Sequence, residues 1–171
     1  MLDQVLEIFN IKVDYDLNIM QNAQSLYQIT TNGLLKLEEI YKREKPDLVL
    51  VHGDTTTTLV AALAAFYEKI PVGHVEAGLR SFDKFNPFPE EINRRLADVL
   101  TDLYFVPTPL SARNLKQEGV AGKNIYITGN TVIDALFMAL KTPYQAKNKQ
   151  LQALDTKKKI ILVTAHRREN W

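Results

Sequence analysis

Cysteine is absent from the 171 residues, which excludes disulfides and thiolate chemistry and agrees with a reducing compartment. An excess of charge of either sign is also missing. Lys and Arg number 21 against 20 Asp and Glu, a formal net charge of +1, so no global field recruits nucleic acid or anionic lipid and any anion must be bound locally. No segment approaches the apolar length of a membrane span. The first ten residues, MLDQVLEIFN, carry two acids and no basic region, so they do not read as a signal peptide and a cytoplasmic location is expected. Internal repeats at solenoid periods are lacking. So are GxGxxG after a strand, GxxxxGK[ST], HExxH and GxSxG. Gly122-Lys123 lacks the upstream Gly and the following Ser or Thr of a phosphate loop.

What is present is ordinary for a soluble globular domain, with 46% hydrophobic and 24% charged residues. A chain of this length can bury roughly two-thirds of its unfolded surface. Leu26, Ile29, Leu37 and Ile40 recur on steps of three and four, with Gly33 between them, and predict a helix over 22–44 that Pro46 ends. The run 47–51 is a buried strand by its β-branched residues and its bounding Pro46 and Gly53. Thr55 to Thr58 then open an Ala- and Leu-rich helix that Pro71 stops. Strands follow at 72–75, 103–106 and 125–128. Between them lie a helix starting near Glu90 and a second helix with Thr108 as N-cap and Pro109 at its first position, closed by Gly119. Asn130 or Thr131 caps a further helix to about Leu140. Strands alternating with helices predict an α/β fold with a parallel, doubly wound sheet. Residues 141–159 are polar and basic and read as a connector, and 160–164 as a fresh buried strand before Ala165-His166-Arg167-Arg168.

In open parallel sheets ligands bind beyond the carboxyl ends of the strands. There the sequence places His52, Gly53, Asp54 and four threonines, then Glu76, Gly78 and Arg80, then Gly129 and Asn130, and last His166 with two arginines. Each has a plain reading as well as a functional one. Asp54 could cap a helix, although Thr55 to Thr58 can do that unaided. Glu76, at the end of an apolar strand, needs a partner, and Arg80 is the candidate. Glu90 and Glu91 open a helix, where acids suit the macrodipole, and Arg94 stands four residues after Glu90, within reach of it. His74, inside a strand, reads as a satisfied core residue. His166, at a strand end beside guanidinium groups, suits a diphosphate clamp. No close ligand spacing supports a metal among His52, Asp54, Glu76 and His166. Several carboxylates with a basic group on a separate element suit proton transfer on a phosphate-bearing substrate.

The runs HGDTTTT (52–58), PVGHVEAGLRS (71–81), NPFPEEINR (86–94), ITGNTVIDAL (127–136) and TAHRREN (164–170) closely resemble the non-hydrolysing UDP-N-acetylglucosamine 2-epimerases. The likeness covers nearly the whole chain in the family's order. It implies a two-domain GT-B-type fold of Rossmann-like domains with the UDP-sugar between them. It also implies interconversion of UDP-GlcNAc and UDP-ManNAc by anti elimination of UDP to 2-acetamidoglucal and re-addition, with no cofactor and no metal. Asp54, Glu76 and Glu90 match the catalytic carboxylates, His166 matches the histidine at the UDP side, and Arg94 is a candidate for the cleft. The full-length protein would be a homodimer binding neither nucleic acid nor membrane.

The resemblance also divides the chain. Residues 1–140 form an N-terminal Rossmann-like domain without its first strand, 141–159 a connector, and 160–171 the first strand and loop of a second such domain. The family's opening strand, its Gly-Thr-Arg-Pro-Glu loop and nearly all of the second domain have no counterpart here. Two other readings stand beside epimerisation. One is a hydrolysing epimerase, which would release ManNAc, and the other is a chain that is no catalyst by itself, since half a cleft cannot close around a diphosphate.

Overall fold

The computed structural model describes residues 2–21, 23–143, 148–155 and 157–163. A short helix α1 (Leu2–Ile8), on which the sequence reading was silent, leads through an irregular stretch to α2 (Leu26–Glu44). α2 starts four residues later than its apolar period predicts because Ser25 forms a capping box: its side chain accepts from the Gln28 amide, and the Gln28 side chain accepts from the Ser25 amide. Beyond it the alternation is regular: β1 (Val49–His52), α3 (Thr56–Tyr67), β2 (Val72–Val75), α4 (Glu90–Val99), β3 (Leu103–Val106), α5 (Pro109–Gln117), a 3-10 turn at Gly122–Asn124, β4 (Ile125–Ile127) and α6 (Thr131–Lys141). A four-residue helix α7 (Lys149–Gln152) follows. Thr55, Thr108 and Asn130 are the side-chain N-caps of α3, α5 and α6, and Pro109 opens α5 as its spacing predicts.

The four strands are all parallel and lie in sequential order β1-β2-β3-β4. Register puts Val51, His74 and Tyr104 side by side on one face. That face carries the core. Val49, Val51 and Val72 pack with Ala62, Ala64 and Ala65 of α3 and Tyr41 of α2, while Tyr104 and Val106 pack with Ala112 and Leu115 of α5. The alanine-rich helix α3 meets the sheet closely, and Gly33 lets α2 approach Val60, whose Cγ1 would stand 2.9 Å from a Cβ there.

The opposite face is largely bare: Leu50 is 62% and Tyr126 46% exposed, and Phe105 stacks on Tyr126 with ring centroids 5.7 Å apart. Handedness explains the asymmetry. Right-handed crossovers between strands that advance in one direction all place their helices on the same side. Winding of the second face needs a reversal of strand order, and the described strands contain none. The parallel α/β sheet with flanking helices is as the alternation predicts, with its winding one-sided over these residues.

The strand expected over 160–164 does not form across its described part. Residues 160–163 carry no strand pairing, and Leu162 is 92% exposed. A β-branched run becomes a strand only where a neighbouring edge takes its backbone groups, and no described strand does so. Residues 164–171, including His166, lie outside the described residues. Among the described residues no helix is long and apolar enough to cross a membrane.

Candidate active site

The carboxyl ends of β1 and β2 carry the two turns that hold Asp54 and Glu76. Asp54 is not a helix cap, because Thr55 takes that role and accepts from the Thr58 amide at 3.3 Å. The Asp54 carboxylate instead meets Arg94 of α4, Oδ2 to guanidinium nitrogen, at 2.8 Å. Arg94 is 11% exposed in its side chain, so this pair is partly shielded from solvent. Its Nε also lies 3.8 Å from Glu91 and donates weakly to the Glu90 carbonyl at 3.4 Å. Pairing of Arg94 with the Glu90 carboxylate, the plain reading of their four-residue spacing, is therefore not what the fold uses.

Glu76 likewise has a different partner from the one its neighbourhood in sequence suggests. Arg80 turns away to a bidentate pair with Glu118 at 2.8 and 2.6 Å and to Asp98 at 2.8 Å. Burial works against the Arg80 charge, but its hydrogen bonds to Glu118 and the field of Asp98 outweigh it and hold its pKa above the ordinary arginine value. Glu76 Oε1 accepts from Asn130 Nδ2 at 3.1 Å. Its backbone is left-handed, φ +71°, a conformation that costs a non-glycine residue about 1–2 kcal/mol. The main chain there is fixed by the Glu76 and Ala77 amides, both donating to the Phe105 carbonyl.

The two turns touch. Glu76 Oε2 lies 3.4 Å from where a Cβ on Gly53 would stand, so a side chain at position 53 would crowd that carboxylate. Asn130 thus serves twice, capping α6 through the Val132 amide and holding Glu76. His52, on the adjoining strand end, stands 3.5 Å from Thr131 Oγ1.

Glu90 opens α4 and its side chain is hydrogen-bonded to nothing in the described residues. Glu91 behaves oppositely: it is fully buried and accepts from the Ser81 and Phe82 amides at 2.9 and 3.2 Å. The acid that satisfies the plain reading is therefore Glu91, while Glu90 stands at the helix mouth beside the 82–89 loop. That loop, with cis peptide bonds before Pro87 and Pro89, borders a groove of about 630 Å³ lined in part by Tyr27, Thr56, Phe85, Phe88 and Asn93. Sequence reasoning missed Asn93, which donates to the Asp54 carbonyl at 3.0 Å. An asparagine beside Arg94 in the first turns of an otherwise charged helix was the available signal. His74 is a buried core residue, as its position in a strand predicts. No group of three or more metal-ligating side chains occurs among the described residues.

A one-way parallel sheet with polar and acidic side chains gathered on the turns after its strands defines a Rossmann-like α/β domain with a candidate ligand site at its carboxyl edge. Comparison with known proteins narrows this. The family model described as UDP-N-acetylglucosamine 2-epimerase matches residues 1–171, and the chain belongs to that family. It is 58% identical over 172 residues to a Clostridium acetobutylicum relative, all of this chain and 45% of that protein. It is 54% identical over 175 residues to the UDP-N-acetylglucosamine 2-epimerase of Neisseria meningitidis, 99% of this chain and 47% of that one. The crystal structure of a Neisseria meningitidis UDP-GlcNAc 2-epimerase bound to UDP-GlcNAc matches at TM-score 0.79 and 57% identity, over 82% of this chain and 38% of that one. The Methanocaldococcus jannaschii enzyme in complex with UDP-GlcNAc and UDP matches at TM-score 0.75 and 40% identity, over 88% of this chain and 41% of that one. The chain thus spans under half the length of these relatives.

Proposed function

We propose that this chain is the catalytic-carboxylate part of an enzyme that interconverts UDP-GlcNAc and UDP-ManNAc. A carboxylate takes the proton from C2 while the C1–O bond breaks and UDP leaves with its electron pair, giving 2-acetamidoglucal. UDP then adds back to C1 as a second acid delivers a proton to the opposite face of C2. The observation that carries the reading is the juxtaposition of Asp54 and Glu76 on adjacent turns, each held by a neutral or cationic partner from another element. Asp54, Glu76 and Glu90 supply the acid and base, Arg94 orients Asp54 and contributes to substrate binding, and His166 binds at the diphosphate side. We assign residues 1–140 to one domain, 141–159 to a connector and 160–171 to the start of a second. The full-length protein acts as a cytoplasmic homodimer, and the 171 residues alone do not turn over substrate.

The test joins this chain to the flanking segments of the Neisseria meningitidis relative and follows C2 deuterium incorporation and UDP-ManNAc formation by NMR. The completed protein should exchange and epimerise. Asp54→Asn, Glu76→Gln and Glu90→Gln should each slow exchange, by roughly 100- to 10,000-fold for loss of an acid or base. Full exchange in all three variants would sink the assignment, and release of free ManNAc would identify a hydrolysing enzyme instead.

A further inference from the structure

The buried imidazole of His74 is used by nothing in the mechanism above, and its surroundings are specific. Nε2 lies 2.7 Å from the Gly53 carbonyl and Nδ1 2.7 Å from Asp98 Oδ1. A carbonyl oxygen only accepts, so Nε2 carries a proton. Asp98 Oδ2 accepts from the Gly78 amide at 3.2 Å and from the Arg80 guanidinium at 2.8 Å, so both oxygens of this buried side chain are engaged.

The carbonyl it grips belongs to the residue before Asp54. Three successive carbonyls of that turn are held by side chains: His52 by Thr58 Oγ1 at 2.6 Å, Gly53 by His74, and Asp54 by Asn93 Nδ2 at 3.0 Å. Asn93 belongs to α4, and His74 reaches the same helix through Asp98. Asp98 in turn holds the Gly78 amide, two residues past Glu76. One buried hydrogen-bonded pair, His74 and Asp98, therefore ties the turn of Asp54 to the turn of Glu76.

We propose that His74 is a positioning residue of the active site, its imidazole clamping the Gly53 carbonyl to Asp98 so that the Asp54 and Glu76 turns keep one fixed relation. The proposal rests on the epimerase reading for its effect on turnover and on geometry alone for the clamp. In the completed protein, His74→Gln should lower kcat roughly 100-fold, the scale of a displacement of about 1 Å at a reacting group, with KM for UDP-GlcNAc changed less than about three-fold. Asp98→Asn should act on the same clamp, so the double variant should lose little more than either single one. Val60→Ala, a core truncation on the side of α3 that faces Gly33 of α2, supplies the stability control and should keep kcat. A kcat for His74→Gln within about three-fold of wild type, or a loss that Val60→Ala matches, would overturn the proposal.

The second measurement needs no variant and no substrate. Imidazole nitrogen NMR of the wild-type completed protein should show His74 Nε2 protonated, with a slowly exchanging hydrogen. An unprotonated Nε2 would overturn the clamp. Absence of turnover by the wild-type completed protein, with Nε2 protonated, would instead remove the epimerase reading and leave the clamp standing.

Discussion

Replacing Gly78 by alanine separates backbone conformation from steric contact at the turn that follows Glu76. Gly78 has φ +79° and Gly119 φ +93°, so an alanine at either position carries a left-handed backbone cost of about 1–2 kcal/mol. The surroundings differ. A Cβ on Gly78 would stand 2.5 Å from the Ser111 carbonyl oxygen and 3.0 Å from Leu115 Cγ, whereas one on Gly119 meets nothing within 4 Å. Ser111 is backbone in the first turn of α5, and its neighbour Asn114 holds the Gly78 carbonyl at 3.0 Å, so helix and turn must part for a methyl group to enter. Overpacking of this kind adds about 1–3 kcal/mol, giving about 2–5 kcal/mol for Gly78→Ala against about 1–2 for Gly119→Ala. The reduced entropy of the unfolded chain is common to both and cancels in the difference. Urea unfolding followed by far-UV circular dichroism, with m held common, should place the Gly78→Ala midpoint well below that of Gly119→Ala. Equal midpoints would refute the claim that contact with α5 fixes the Glu76 turn.

Two further predictions concern the groups around that turn. Asn130→Asp keeps the cap on the Val132 amide but sets a like charge against Glu76, so stability should hold while C2 exchange in the completed protein falls; Asn130→Ala should lose both, with about 1 kcal/mol for the cap, and unchanged exchange in the two variants would show that Asn130 does not hold Glu76. Burial, then the charges of Asp98 and Asp102, push the Tyr104 hydroxyl up to about 12, whereas an unfolded tyrosine titrates near 10. The stability from its neutral form is complete below about pH 10 and is lost as pH rises towards about 12. Denaturation midpoints should therefore fall less steeply over that window in Tyr104→Phe than in wild type, and identical slopes would refute the link.

Local signals carried most of the fold into the sequence. Pro46, Pro71, Thr108-Pro109 and Asn130 mark boundaries by backbone chemistry that does not depend on distant residues, and the structure keeps them. The Ser25 to Gln28 capping box is equally local, and it overrides the apolar period in setting where α2 starts. Strand order was not legible, because periodicity records which face a residue needs and not which strand lies beside it. The same limit explains residues 160–163, whose composition fits a strand whether or not a partner edge exists. At the site, the residue types and strand-end positions were readable but the pairings were not. Arg80 is four residues from Glu76 in sequence and 38 from Glu118, yet it bonds Glu118, a choice fixed only when α5 packs beside β3.

Helix α4 supplies the step that connects these pairings. Glu90, Asn93, Arg94 and Asp98 stand at positions i, i+3, i+4 and i+8 of the helix and share one face. That face gives an acid at the mouth, two contacts to the Asp54 turn and, through Asp98, a direct bond to the Gly78 amide and a hold on His74, which bonds the Gly53 carbonyl. Glu90 and Asp98 are eight residues apart, about 12 Å along a helix axis, a separation that loop motion cannot alter. The deep end of this ruler is buried with its charges paired, where removing one partner leaves an uncompensated charge and is strongly unfavourable. The shallow end can be exposed without loosening the geometry, because Glu91 pins the preceding loop through the Ser81 and Phe82 amides. The helix thus converts burial at Asp98 into placement at Asp54, Glu76 and Glu90, and a perturbation at its deep end should reach the chemistry without touching substrate.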